Sequence, residues 1–318
     1  ATISITLIGP PLMETAENRG INLAATTAWT QQATSKLAAN DIRSLMMGKK
    51  VSVGGSSGGD SVQLTVSGTP EELEIGMQLA HLLLTDPRLE ETAFARWKTA
   101  QLQNLEAMEK NPSQMFSKLM AQAVYPAAEV RTQPLTKEQI EKLSRESAQA
   151  WLTKLVAQSP FEVAVVGDVS REKAMELVTR YVGSLPTRAR IDPGYLADKR
   201  VLKREKGPRS VSETIATRTN MANVMVGFYG PDATNLADAR AMEMAARVIS
   251  SRMVQEIREK AQLVYSISAS STTASIASNC CCPTMRRPAF RTAGRSTARA
   301  SRFRRRRRPT PSPARRPV

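Results

Sequence analysis

Histidine is nearly absent: His81 is the only one in 318 residues. A catalytic zinc site draws about three protein ligands, commonly His, His and Glu. The local sequence His81-Leu82-Leu83-Leu84-Thr85 has no H-x-x-E-H around it. A metal site in this chain is therefore not expected, and His81 reads as a packing or surface residue at the edge of a Leu73–Leu84 stripe. Cysteine is confined to Cys280, Cys281 and Cys282. Three in a row lack the two-residue spacing of a zinc knuckle, so they are read as incidental. Aromatics are only 4% of the chain, so Leu, Val, Ile, Met and Ala must fill the core. No apolar run reaches the roughly 18 residues of a membrane span, and none is expected. The chain begins at Ala1 without a signal-peptide pattern, as an excerpt or a processed form would.

Acidic residues are missing from the C-terminal end. Residues 279–318 hold 13 Arg and no Lys, Asp or Glu, so the net charge of +16 leaves 16 − 13 = +3 for residues 1–278. The body is near neutral. Of the 40 residues in 279–318, 31 are Arg, Pro, Ala, Ser or Thr, and hydrophobic periodicity is lost after Ser275. Nothing there can build a core, and disorder is expected. Two origins are open for this tail: an out-of-frame reading of a GC-rich gene, which is preferred, or an arginine-rich arm for RNA or DNA phosphates. It lacks interleaved aromatics for base stacking, and nucleic acid is not the expected partner.

What is present is periodic. Thr2–Leu7 alternates polar and apolar, as a half-buried strand does. Helices are expected over 22–37 and 41–47, the second capped by Asn40. Strands at 50–53 and 61–66 should flank a glycine-rich loop, Gly54–Asp60. Thr69-Pro70-Glu71-Glu72 reads as a capped helix start, and Asp86-Pro87 as the start of a long helix to about Lys110. Asn111-Pro112 breaks that helix and opens another, ending at Tyr125-Pro126. One or two helices follow over 138–156. Phe161–Pro186 then reads as a buried strand, a turn at Gly167-Asp168, a helix capped by Ser170, and a stop at Pro186.

Residues 187–208 are polar and charged, with Pro193-Gly194, and read as a linker. Beyond it, strands are expected over 210–216 and 223–229, helices over 236–249 and 252–260, and a strand over 264–269. That order repeats the opening of the first lobe. The fold class is α+β: two-layer lobes of antiparallel-rich mixed sheet packed by helices, one complete lobe and a truncated second copy. The divisions are 1–186 for the first lobe, 187–208 for the linker, 209–275 for the second lobe and 276–318 for the tail.

Two motifs are weighed for chemistry. Gly54-Gly55-Ser56-Ser57-Gly58 matches G-x-S-x-G, but a nucleophile elbow needs a following helix and an activating His. A strand follows here, so a hairpin loop is the better reading. The same loop lacks the helix N-terminus and Gly-Lys-Ser/Thr ending of a phosphate cradle. Arg258-Glu259-Lys260-Ala261-Gln262-Leu263-Val264-Tyr265 is, on physics alone, a helix end and the start of a strand.

The last stretch resembles the Arg-x-Lys-x-Gln-Leu-x-Tyr element of the insulinase/pitrilysin zinc metallopeptidases. So does Phe161–Pro186, where a strand ends in Val-Gly-Asp and a helix closes on Leu-Pro. The resemblance covers roughly residues 20–275. It implies the metal-free half of a two-half enzyme that closes around a chamber, with zinc in the partner half, on the same parent chain or a separate subunit. Arg258 and Tyr265 are then substrate-binding residues, donating hydrogen bonds to a peptide carbonyl. This chain would hold no catalytic residue, no metal ligand and no activity of its own. Val264 stands where the family commonly has Gly, and the last lobe stops short of the family's. Bacterial members are often envelope proteins, which gives the implied compartment. The alternative is a non-enzymatic scaffold of the same fold.

Overall fold

The computed structural model describes residues 1–188, 194–215, 222–230 and 235–271. The tail from 276 and the three cysteines lie outside the described residues. Strand β1 (Thr2–Ile8) is central in an antiparallel sheet of order β2-β3-β1-β4, with β2 at Val51–Ser57, β3 at Ser61–Gly68 and β4 at Phe161–Val166. Every pairing is antiparallel, so the mixed sheet expected from sequence is a purely antiparallel one among the described residues. Alternation decides its two faces. Ile3, Ile5, Leu7, Val62, Leu64 and Val66 are fully buried beneath helices. The other face is polar: Thr2 Oγ1 meets Ser67 Oγ at 3.0 Å, and Gln63 Nε2 donates to Thr6 Oγ1 at 3.4 Å.

The covering layer starts with α1 (Ile21–Thr30), α2 (Ala39–Met46) and α3 (Leu73–Thr85). Trp29 of α1 is wholly buried and donates from Nε1 to Leu83 O at 3.2 Å. Beneath it lies Gly55, where an added Cβ would fall 2.5 Å from Trp29 Cβ. Glycine in the strand thus makes room for tryptophan. This contact also corrects the loop expected over Gly54–Asp60. Gly54–Ser57 extend β2, and the connection shrinks to residues 58–60. Gly76 of α3 makes room in the opposite sense, since a Cβ on the helix there would fall against Val66 Cγ1 and 2.6 Å from Val51 Cγ2 in the sheet.

Several helix starts move for one reason: side chains expected to cap are used for tertiary contacts. Residues 70–72 form a turn before α3, and the Glu72 carboxylate accepts from Lys50 N at the start of β2. Asp86 accepts from Ser35 N at 3.2 Å, and Thr34 bridges to Pro87. Consequently α1 ends at Thr30 rather than 37, and α4 (Glu91–Lys110) starts after the Asp-Pro. For α2 the Asp41 carboxylate accepts from Ala38 N at 3.1 Å, so the cap falls at Ala38 instead of Asn40. Asn111 does cap α5 (Pro112–Val124), taking Ser113 N and Gln114 N at 3.0 and 3.2 Å.

Helices α6 (Lys137–Lys142) and α7 (Arg145–Gln158) lead into β4. Phe161, Val163 and Val165 are half-buried while Glu162, Ala164 and Val166 are exposed, so the apolar run is an edge strand and not a fully buried one. Gly167 turns at φ 125°, and Ser170 Oγ accepts from Lys173 N at 3.2 Å to start α8 (Arg171–Tyr181).

Farther on come a single turn, α9 (Ala197–Arg200), and a long helix, α10 (Leu236–Met253). The strands expected over 210–216, 223–229 and 264–269 do not form among the described residues of those stretches. Val224, Val226 and Phe228 alternate as a strand would, yet they are 85%, 78% and 91% exposed. An isolated pair of strands is marginal in water, and no apolar sheet face is present to hold these. α10 likewise buries no residue and exposes Leu236, Met244, Val248 and Ile249.

Candidate functional site

Arg258 and Tyr265 meet through an unusual helix end. α10 widens into a π-helical turn, Val254–Lys260. Ala261 N donates to Glu256 O and Leu263 N to Ile257 O, each at 3.1 Å. Gln262 between them is left-handed at φ 53°. A non-glycine residue there is sterically costly, and it reverses the chain. The reversal returns Tyr265 to the helix, where the Arg258 guanidinium lies over its ring at 5.5 Å from the centroid. π-turns recur at functional positions because the wider turn re-aims side chains. Tyr265 is 89% exposed, and Arg258 is exposed as well. A guanidinium carries five N–H donors and a phenol one O–H, and the turn brings these two exposed groups together. Val264, where the family commonly has Gly, has an ordinary backbone angle; the left-handed position falls two residues earlier, at Gln262.

His81 is engaged elsewhere. Its Nδ1 lies 2.7 Å from Tyr181 O at the end of α8, and the two rings meet edge to face at 6.4 Å. The contact ties α3 to α8. Beside it, Glu74 accepts from Tyr181 Oη at 3.0 Å and from Arg180 Nη1 at 2.7 Å. The tyrosine hydrogen bond, with the Lys173 and Arg180 charges, holds the Glu74 carboxyl below its ordinary value against the opposing effect of desolvation. The serines of the G-x-S-x-G stretch stand in β2, and Ser57 Oγ accepts from Asn22 Nδ2 at 2.7 Å. No nucleophile elbow exists there. No group of three or more His, Cys, Asp or Glu is placed to hold a metal among the described residues.

One hollow, about 420 Å³, lies between α1, α2 and the edge of β2, lined by Gln32, Ile42, Met46 and Val53 among others. Neither Arg258 nor Tyr265 lines it.

Sequence reasoning missed a second charged constellation. Glu129 accepts from Arg131 Nε and Nη2 at 2.7 and 2.9 Å and from Lys203 N at 3.3 Å. The Arg131 hydrogen bonds, with a lesser part from Lys203 N, hold the Glu129 carboxyl below its ordinary value against desolvation. Asp60, fully buried, faces Arg200 Nε at 3.4 Å. Both sets bind the stretch read as linker. The only signal in the sequence was its density of Lys and Arg, which reads equally well as solvated charge.

Comparison with known proteins places these features. Residues 142–284 match the peptidase M16 inactive domain. The match runs past residue 276, into the stretch read as tail. The chain is 26% identical over 172 residues to the probable zinc protease PqqL of Escherichia coli (strain K12), covering 54% of this chain and 18% of that protein. The crystal structure of the periplasmic protease PqqL from Escherichia coli shares the fold at a TM-score of 0.59 and 22% identity, over 84% of this chain and 29% of that one. The chain therefore spans less than a third of the length of either relative.

Proposed function

We propose, on the premise that this chain carries the inactive domain of the peptidase M16 family, that it is the substrate-holding and chamber-closing half of a zinc metalloendopeptidase. Zinc belongs, on this reading, to a partner half on the same parent chain or a separate subunit, and that half supplies the hydrolytic chemistry. Residues 1–186 act as the packed lobe, and residues 209–275 carry the Arg/Tyr element. The envelope is the compartment this reading implies.

The work assigned to this chain is orientation. A peptide carbonyl approaching the π-turn takes one hydrogen bond from Arg258 and one from Tyr265. Donors held in place cost no reorganisation when charge builds on that oxygen, so they favour the transition state over the bound peptide. Pairing with the Tyr265 ring also limits the rotamers open to Arg258, which lowers the entropy lost on binding. The convergence of Arg258 and Tyr265 across left-handed Gln262 is the observation that supports this reading most.

The rival is a non-enzymatic scaffold of the same fold. It draws on the exposure of both residues and on their lying outside the hollow between α1, α2 and β2. Peptidase assays on an unstructured peptide separate the two. The purified chain alone should be inactive, and adding a zinc-bearing M16 half should give turnover that a chelator abolishes. Chelator-sensitive hydrolysis by this chain alone would overturn the assignment, and a zinc-bearing half that works equally well without this chain favours the scaffold.

A further inference from the structure

We propose that residues 194–205 are a clasp: a segment held on the first lobe by two buried acid–arginine anchors that open together. At the first anchor, Arg200 Nε meets Asp60 Oδ2 at 3.4 Å, with the two side chains 11% and 1% exposed. Arg200 Nη1 donates to Tyr195 O, closing the turn on itself. Gly9, left-handed at φ 103°, donates its N–H to Asp60 O at 2.7 Å. A Cβ on Gly9 would fall 2.6 Å from Leu196 Cδ1, so glycine is what admits the leucine. At the second anchor, Arg131 is fixed by Glu129 and donates to Lys199 O and, at 3.1 Å, to Val201 O. Lys203 N returns to Glu129 Oε2 at 3.3 Å, and Glu205 N to Val124 O at 2.9 Å.

The anchors interlock. Arg131 grips the carbonyls of residues 199 and 201, which flank Arg200. A backbone movement that carries Arg200 away from Asp60 would take both carbonyls off Arg131. The closed state also bears costs that make it poised rather than permanent. Asp60 Oδ1 and Arg200 Nη2 are buried without hydrogen-bond partners, and a half-satisfied buried pair is weakly held. Leu196 is left-handed at φ 55°, a strain that lasts only while its surroundings enforce it. Release of either anchor removes that enforcement. The clasp thereby governs how residues 194–205 are tied to the first lobe, while farther on Tyr229 Oη donates separately to Val124 O at 3.0 Å.

Hydrogen exchange on the full chain tests this. In Asp60→Asn, exchange at the amides of Lys203 and Glu205, which belong to the other anchor, should rise about tenfold or more. Amides of β1 and β3 should keep their protection. Trypsin should then cut faster after Lys199, Arg200, Lys203 and Arg204. Unchanged exchange at Lys203 and Glu205, with the sheet intact, would overturn the coupling. Should Asp60→Asn unfold the sheet, Glu129→Gln decides from the opposite side. A similar rise at the Arg200 amide, which donates to Leu196 O at 3.1 Å, supports the clasp, and no rise rejects it.

Discussion

The Arg258 guanidinium rests over the Tyr265 ring, 5.5 Å from its centroid, although six residues and a chain reversal separate them. Residue 262 makes the contact. Gln262→Gly removes the left-handed penalty and should leave the helix end as stable as wild type or up to about 1 kcal/mol more so. Gln262→Val adds β-branching at the same angle and should loosen it by about 1–2 kcal/mol. Exchange protection of the Ala261 and Leu263 amides reads both.

Gly55 and Trp29 are in close contact in the core: an added Cβ on Gly55 would fall 2.5 Å from Trp29 Cβ. Gly55→Ala must displace the indole or the strand, and about 1–3 kcal/mol of destabilisation is expected. The urea midpoint should fall with little change in slope. A wild-type midpoint would show that Trp29 can move freely.

Acid should loosen the clasp. Arg131 and Lys203 N hold the folded-state pKa of Glu129 below its unfolded value. Its contribution to stability is thus complete above the unfolded carboxylate value and is lost as pH falls through the lower, folded one. Protection of the Lys203 amide should fall across that acidic window before the sheet amides respond. Glu129→Gln should remove the pH dependence.

His81 ties α3 to α8 through its contact with Tyr181 O. His81→Ala deletes the contact with Tyr181 O and should cost about 1 kcal/mol by thermal unfolding. Turnover of a reconstituted two-half enzyme should be unaffected once the chain is folded. A selective loss of turnover would give His81 a role not foreseen in this account.

Much of the first lobe was legible because local pattern and tertiary need agree there. Thr2–Leu7 alternates, and one face of β1 is buried. Ser170 was read as a cap and is one, and Asn111-Pro112 ends one helix and opens the next as expected. The errors arose where one side chain had two uses. Glu72 and Asp86 look like helix starters, but they hold Lys50 and Ser35, contacts that a local window cannot contain. Gly54–Ser57 looked like a loop because the partner that needs the missing Cβ, Trp29, is remote in sequence. Beyond residue 208 the alternation of Val224, Val226 and Phe228 was read as a strand, and none forms there: a strand also needs neighbours to pair with. Arg258 and Tyr265 were singled out by resemblance. No spacing rule foretells a π-turn with a left-handed Gln262, the geometry that joins them.

Transition-state stabilisation by Tyr265 is the central claim, and one comparison tests it most directly. A zinc-bearing half reconstituted with wild-type chain or with Tyr265→Phe should be assayed for kcat/KM on an unstructured peptide, with zinc content measured in the same samples. Loss of one donor to the developing oxyanion should lower kcat/KM by about 10²–10³ with zinc fully retained. Equal kcat/KM for the two complexes, at equal zinc, would contradict the account.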